Sequence, residues 1–519
     1  MALNICLIKP SILHKSASFA LLPTAPLGLA YIAGALRKDE HQLQVIDSSA
    51  EGFTQVNSFI GELFLYGLNE EQIISRINPK TEVICFALMF TNNWLSSRSL
   101  IQNAKKAFPN AIIIAGGEHA TAAPDLCLQQ SPLDYIVLGE GEETIVSLVQ
   151  AIEAKSPMVE VAGIAFLKEG KLYKTKPRSR IKEIKDIAWP AWDLFPLQKY
   201  FDQKMSHGVY RGRTLPVMAT RGCPYTCTFC SNPQMWGKKY EMRPPEDFVN
   251  ELVFLHNTYG VTNFDLYDLT AIIFKDWIVA MCSEILNRGL DITYQLPSGT
   301  RAEAIDFEVA DLLYRSGCKN ITYAPESGSK EVLLRVKKRV KVDKMLESIR
   351  YAYKAGINIH LNMIIGFPED THKNFWQTWW FIIKASWCGA NDMAMAVFTP
   401  YPGSELYDQL TKEGKVDIYK DECIIEIINS YDLWPNKVYS NNMGGTMVKL
   451  YVFIALISFY GSNFLFRPKR LFITLRNILR NEHESRLEQI LHKNFFNVLY
   501  ENLFVKKLAR LGNKLSNLF

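Results

Sequence analysis

Apolar residues come in short, almost continuous runs through residues 1–155, and the segments between them carry amphipathic helix spacing. NICLIKP reads as a strand, PLGLAYIAGALRK as the helix after it, and QLQVID, EVICFALMF, AIIIAGG and YIVLGEG as further strands. Strands alternating with helices predict βαβ units on a parallel sheet. Helices on both faces of such a sheet account for strands without polar alternation. The segment is expected to be a Rossmann-like, doubly wound parallel sheet, and the fold class α/β.

Residues 156–215 read as a connector, with a hairpin-like GIAFLKEGKLYKTK and the Pro/Trp-rich IAWPAWDLFPLQKY. Residues 216–410 return to alternation: LPVMATRG, NFDLYD, ITYQLP, NITYAPE, INIHLNMIIG and DMAMAVFTP predict a partial (β/α)6 barrel working at its C-terminal strand ends. Residues 411–519 have a mainly helical pattern. RPKRLFITLRNILR puts Leu471, Leu475 and Leu479 on one face and Arg476 and Arg480 on another, and NVLYENLFVKKLARLGNKL repeats the theme. Leu450–Phe466 is uncharged over 17 residues, short of the roughly 20 a spanning helix needs, so a buried or interfacial helix is expected there.

Composition narrows the class. With 519 residues, 48% hydrophobic and 21% charged, the chain can build several cores, which excludes global disorder. The net charge of +5 is uneven: residues 467–519 carry +7 and the rest −2. No nucleic-acid partner is expected; a basic amphipathic tail instead suggests peripheral contact with the inner face of a membrane, or a helical cap on the barrel. Ten cysteines are too few for a disulfide scaffold, and MALNICLIKPSILHK lacks an apolar signal core, so a cytoplasmic, reducing compartment is expected.

Ligands on doubly wound sheets bind beyond the carboxyl ends of the strands. Here those ends carry Thr91-Asn92, Gly116-Gly117-Glu118-His119 and Gly139-Glu140-Gly141-Glu142. Glycines there let backbone approach a ligand, or simply close tight turns, and spacing alone leaves both readings open. The sharper signal is RGCPYTCTFCSNP, where Cys223, Cys227 and Cys230 form C-x3-C-x2-C. Three thiolates select an iron–sulfur cluster or zinc. A structural zinc site normally takes four ligands, and no fourth stands nearby. Three ligands on a cuboidal cluster leave one iron open.

The loop, with Phe229 before its last cysteine, resembles that of the radical SAM enzymes. The resemblance extends over about 215–410, through WGKKYEMRPPEDFVNEL, NFDLYDLT, SGCKNITYAPESGS, NMIIGFPEDT and TPYPGSELY, with Ala324-Pro325 as a departure. It implies a [4Fe-4S] cluster on the three cysteines, S-adenosylmethionine (SAM) chelated by the open iron, and reductive cleavage to a 5′-deoxyadenosyl radical. It also implies SAM contacts from Glu326, Ser327, Ile364, Gly366 and Glu369. Asp268 and Arg301, at or just after predicted strand ends, are candidates to steer SAM or are ordinary solvated charges. The other cysteines are scattered, which counts against an auxiliary cluster.

Residues 1–155 resemble the cobalamin-binding domain that precedes this barrel in one branch, which includes anaerobic tetrapyrrole cyclases and lipid or natural-product C-methylases. TAPLGLAYIAGALR, IIAGGEHATAAPD and DYIVLGEGEET carry that likeness, and Thr91, Gly116, Gly117, Glu118, Gly139, Glu140 and Gly141 are the implied cobalamin contacts. The D-x-H-x-x-G motif that supplies a cobalt-ligating histidine in many cobalamin proteins is absent; His14 in KPSILHKSAS reads as a loop histidine. The resemblance implies methylation of an unactivated carbon of a small, hydrophobic or natural-product substrate, with an electron donor such as flavodoxin or ferredoxin. A radical SAM oxidoreductase or cyclase without methyl transfer is the alternative, and a non-catalytic metal-binding scaffold a third.

Overall fold

The computed structural model describes residues 2–15, 23–429, 437–480 and 482–492. Its first ten strands are β1 (Asn4–Lys9), β2 (Ile12–Lys15), β3 (Gln42–Asp47), β4 (Val56–Ile60), β5 (Leu63–Tyr66), β6 (Val83–Ala87), β7 (Ile112–Gly116), β8 (Tyr135–Val137), β9 (Ile164–Lys168) and β10 (Lys171–Lys174). Seven of them form one sheet in the order β10-β9-β8-β7-β6-β1-β3. The pairings from β3 through β8 are parallel. Along β1 the side chains alternate between two cores. Ile5 and Leu7 join helices Leu27–Leu36 and Glu142–Ala154 on one face, while Cys6 and Ile8 join helix Trp94–Ala107 on the other. The strand order reverses between β1 and β6, which makes the carboxyl ends there the ligand crevice of a doubly wound sheet.

Two local features differ from the sequence reading. The hairpin read within the connector, β9 and β10, pairs antiparallel onto β8 and extends the first sheet, covering an edge that would otherwise stay open. His14 lies in a strand, not a loop, and is buried; β2 joins β5 and β4 in a small antiparallel sheet.

The second unit has strands β11 (Thr214–Val217), β12 (Thr220–Arg221), β13 (Glu241–Met242), β14 (Asn263–Leu266), β15 (Thr293–Thr300), β16 (Cys318–Glu326), β17 (Asn358–Ile365) and β18 (Asp392–Val397). Six of these form a parallel sheet in the order β11-β14-β15-β16-β17-β18, with β12 and β13 as a separate ribbon. The first core continues into this barrel through connector residues such as Ile184, Trp192, Phe195 and Tyr200, so the two sheets share one apolar body.

Helix Gly445–Phe466 lies along helix His372–Cys388 and β18, burying Val448, Tyr451, Val452, Ala455 and Phe459. Tyr451 stacks on Phe375 at 3.8 Å. The helix runs 22 residues, more than the 17-residue apolar run, and by length and composition alone it is sufficient to cross a membrane. At the amino ends of the barrel strands, Asp392 accepts hydrogen bonds from the Tyr460 hydroxyl (2.5 Å) and the Arg486 amide (2.8 Å), and lies 3.3 Å from His360. The segment around Arg486 thus closes the barrel floor. The second predicted amphipathic segment, NVLYENLFVKKLARLGNKL, lies outside the described residues.

Candidate active site at the facing strand ends

The cysteine loop leaves β12 through Gly222, whose φ is +86° and whose missing Cβ leaves room for the Lys239 carbonyl of the ribbon. Backbone bonds pin the loop to the barrel rim: the Thr228 amide donates to Val336 (3.1 Å), and the Thr228 carbonyl accepts from Leu406 (2.9 Å). Phe229 packs on Phe367 at 5.6 Å. Cys223, Cys227 and Cys230 are free and partly buried. Their thiols lie within one another's electrostatic reach; burial raises that of Cys227 and pushes that of Cys230 up to about 12. Among the described residues no three metal-ligating side chains are gathered closely enough for a single ion. A cuboidal cluster takes one thiolate per iron over separate corners, so this donor set fits a cluster better than a mononuclear site.

The other barrel candidates divide by position. Glu326, at the end of β16, is buried and held at a φ of +65°, a strained conformation of the sort that collects at functional sites. Its carboxylate lies 2.8 Å from Lys338. Burial raises that carboxyl, against the pull of Lys338, whose charge also acts on Cys227. Arg301 stacks on Tyr225 of the cysteine loop at 3.7 Å. Ile364 packs with Phe229 and Phe367. Asp268 is fully engaged beneath the loop: it accepts from the Thr220 amide and hydroxyl and from the Ala219 amide (3.2 Å), and burial pushes it up to about 6. The Ser327 hydroxyl pairs with that of Thr378 (2.8 Å) against helix His372–Cys388. Glu369 is on the surface beside Arg335 (3.4 Å). The neighbouring Asp370 instead accepts from the Gly366 (2.9 Å) and Phe367 (3.1 Å) amides and holds the turn where Gly366 has a φ of +86°.

The turns of the first sheet face this loop. Glu118 receives a short hydrogen bond from Ser231, the residue after Cys230. Gly139 has a φ of +68°; its amide donates to Thr121 (3.1 Å), and a Cβ there would lie 3.4 Å from the Met235 carbonyl. Glu140 pairs with Arg180 (3.0 Å) and Arg221 (3.3 Å), and Glu142 with Arg221 (2.6 Å). Gly117, at a φ of +116°, stands where a Cβ would come within 2.6 Å of the Leu88 carbonyl, and a Cβ on Gly141 would meet Ile32 at 2.8 Å. Gly116 ends β7 beside Val137. Thr91 bonds His119 Nδ1 (3.0 Å), and burial lowers the His119 pKa to about 4, so its ring is neutral. Two buried polar atoms, Asn92 Oδ1 and His119 Nε2, have no partner, and Met89 and Phe90 stand exposed at the end of β6. Exposed Met89 and Phe90 beside the orphaned Asn92 and His119 atoms fit a flat macrocycle with polar substituents, while the open sides of Gly117, Gly139 and Gly141 are taken by Leu88, Met235 and Ile32.

Comparison with known proteins agrees with this geometry. Residues 217–379 match the Radical SAM superfamily and residues 20–149 the B12 binding domain. The chain carries a B12-binding domain followed by a radical SAM domain. A cytidylyl-2-hydroxyethylphosphonate methyltransferase of Streptomyces wedmorensis is 29% identical over 79% of this chain and 83% of its own length. An anaerobic magnesium-protoporphyrin IX monomethyl ester cyclase of Cereibacter sphaeroides is 28% identical over 76% of this chain, which spans 61% of that protein. The solved cobalamin-dependent SAM radical enzyme OxsB shares the fold, with a TM-score of 0.68 at 15% identity over 99% of this chain and 81% of its own.

The radical SAM and B12-binding pairing takes a [4Fe-4S] cluster, SAM and cobalamin. Such an enzyme acts on a small molecule and draws on an electron donor. Lys338, Asp370 and Arg221 were not singled out from sequence, and Glu142 was noted only as part of a strand-end turn. Each matters through a partner distant in the chain or an unremarkable neighbour, and only Arg221, next to the loop glycine, carried a local signal.

Proposed function

We propose that this cobalamin-dependent radical SAM enzyme methylates an unactivated carbon of a hydrophobic or natural-product small molecule, with Cys223, Cys227 and Cys230 holding the cluster. The observation that carries this reading is the contact between the two sets of strand ends. Glu118 of the B12-binding domain touches Ser231 beside Cys230, and Gly139 lies against the Met235 backbone. A corrin over the first sheet and a cluster on the loop would then serve one enclosed site. Together the bound groups supply a transferable methyl and a hydrogen-abstracting radical.

The residues of the chain position and shield. Glu326 and Arg301 flank the loop as candidate partners for the amino and carboxylate groups of SAM, and Ile364 offers an apolar wall for its adenine. Gly116, Gly117, Gly139 and Gly141 shape the turns beneath the corrin, packing against Val137, Leu88, Met235 and Ile32. Glu118 and Glu140 act through the interdomain contacts, and Thr91 by fixing His119. Asp268 holds the entry to the loop, and Ser327, Gly366 and Glu369 belong to the rim around it. The substrate reading extends to a lipid-like molecule and to peripheral membrane contact, supported by the apolar, basic helices after the barrel.

Cells carrying the chain or its Cys227→Ala form, fed methionine deuterated in its methyl group, test this. A small molecule bearing the labelled methyl should appear with the first alone. Formation of 5′-deoxyadenosine with no labelled product would instead favour oxidation or ring formation, which the likeness to a cyclase supports.

A further inference from the structure

Helix Pro468–Arg480 is inverted with respect to the protein. A surface helix normally turns its apolar stripe to the core. Here Arg470, Thr474 and Asn477 face inward, and Leu471, Phe472, Leu475 and Leu479 face out, with Phe472 71% and Leu479 67% exposed. The inward orientation is fixed by a buried polar network. Arg470 pairs with Glu484 (2.7 Å) and with the fully buried Glu488 (3.2 Å), and Glu488 also accepts from Thr474 (3.1 Å) and Asn477 (3.2 Å). Turning the apolar face inward would strand Glu488 without partners, so the apolar side is held outward.

The exposed stripe continues over two neighbouring helices. Helix His372–Cys388 presents Trp376, Trp380 and Trp387 at helical spacing, each about half exposed or more. Helix Gly445–Phe466 presents Leu450, Phe453, Ile457 and Leu465. Trp387 meets Phe466 edge-on at 4.7 Å, joining the two faces. The three helices contain no Asp or Glu, although the chain has 53. Their exposed charges are Lys373, Lys384, Lys469, Arg476 and Arg480, and Lys384 reaches over the Trp380 ring at 5.6 Å.

We infer that this face docks on an anionic phospholipid bilayer, lying along it. Large exposed apolar patches mark interaction surfaces. Tryptophans beside lysines suit the interfacial zone, where rings sit among headgroups and ammonium groups reach phosphate. Helices whose own exposed charges are all basic complement anionic lipid and do not complement one another, which argues against a second copy of the chain as the occupant. Spanning is disfavoured by the inner side of helix Gly445–Phe466: Asn463 donates to the Ala390 carbonyl (2.6 Å), Tyr460 to Asp392, and Tyr451 pairs with His372 (2.7 Å). The inference rests on the membrane contact proposed above, to which it gives a face and a lipid charge, and does not depend on the proposed methyl transfer.

The test is co-sedimentation of the full chain with vesicles of phosphatidylcholine alone or mixed with phosphatidylglycerol, at low and high salt. The expected result is pelleting with the mixed vesicles only, weakened by salt. Lys384→Glu and Arg476→Glu should each weaken binding by about fivefold or more, and Trp380→Ser with Phe472→Ser should abolish it. All four sites are exposed, and an unchanged melting curve would confirm folding. Wild-type chain remaining in the supernatant would overturn the inference, as would equal binding to both vesicle types. Concentration-dependent dimers lost with Phe472→Ser, without vesicle binding, would assign the face to a second copy. Vesicle binding that appears only after removal of residues 493–519 would assign it to that segment.

Discussion

Arg221 stands one residue before the glycine that opens the cysteine loop, and the residue is 2% exposed. It compensates Glu142 and helps Glu140, so it ties the cysteine loop to the B12-binding domain. Arg221→Met should destabilise the apoprotein by about 3–5 kcal/mol, because a buried carboxylate then lacks its partner. Denaturant unfolding checks this, and adding Glu142→Leu should recover part of the loss. Asp370 gives a pH prediction. Burial pushes its carboxyl up to about 6, against the amide donors of Phe367 and Gly366. The unfolded value lies near 4, so between about pH 4 and 6 the folded chain keeps a proton that the unfolded chain releases. The stabilisation from this group is complete below that window and is lost as pH rises through it. Asp370→Asn has no such proton to lose, so the deficit in its melting temperature relative to the parent chain should narrow from pH 4.5 to 6.5. At this scale the three cysteines were legible because their spacing is local. Asp370 was not, because Glu369 fits the same motif one position earlier and only the fold shows which carboxylate holds the turn.

Elements were legible where their signal was local and strong. The apolar runs of the two parallel sheets read directly as strands, since burial on both faces leaves little room for polar alternation. The β2-β5-β4 sheet and the attachment of the β9–β10 hairpin to β8 were not legible, because edge pairing is decided by which strand is left uncovered. The inverted helix shows a further limit: its pattern set the leucines apart from Arg476 and Arg480, but both of those faces are exposed, and the protein is met by a third face of Arg470, Thr474 and Asn477. That choice is made by Glu488, across a turn. Arg470→Met should therefore loosen the segment that closes the barrel floor. Limited proteolysis should cut around residues 482–492 several-fold faster, with the strands of the (β/α) barrel still protected. In the B12-binding domain, Gly117→Ala should cost on the order of 1–3 kcal/mol, since alanine would meet a positive φ and the Leu88 carbonyl together; thermal unfolding reads that loss.

At the scale of the whole molecule, one apolar body joins a doubly wound sheet to a partial barrel so that the carboxyl ends of both face each other. Neither half explains the other alone. The barrel supplies the cysteine loop; the first sheet supplies the turns that face it; Glu118, Gly139 and Arg221 hold them in register. Sequence gave the two units and their order, but not the contact, which lies between residues about a hundred positions apart. The measurement that bears most directly on the account is the yield of the two SAM-derived products. Reconstituted chain with reductant, cobalamin, SAM and an extract containing the substrate should form 5′-deoxyadenosine and S-adenosylhomocysteine together and in about equal amounts, one SAM spent on the radical and one on the methyl group. 5′-Deoxyadenosine without S-adenosylhomocysteine would contradict methyl transfer and leave oxidation or ring formation as the chemistry of this site.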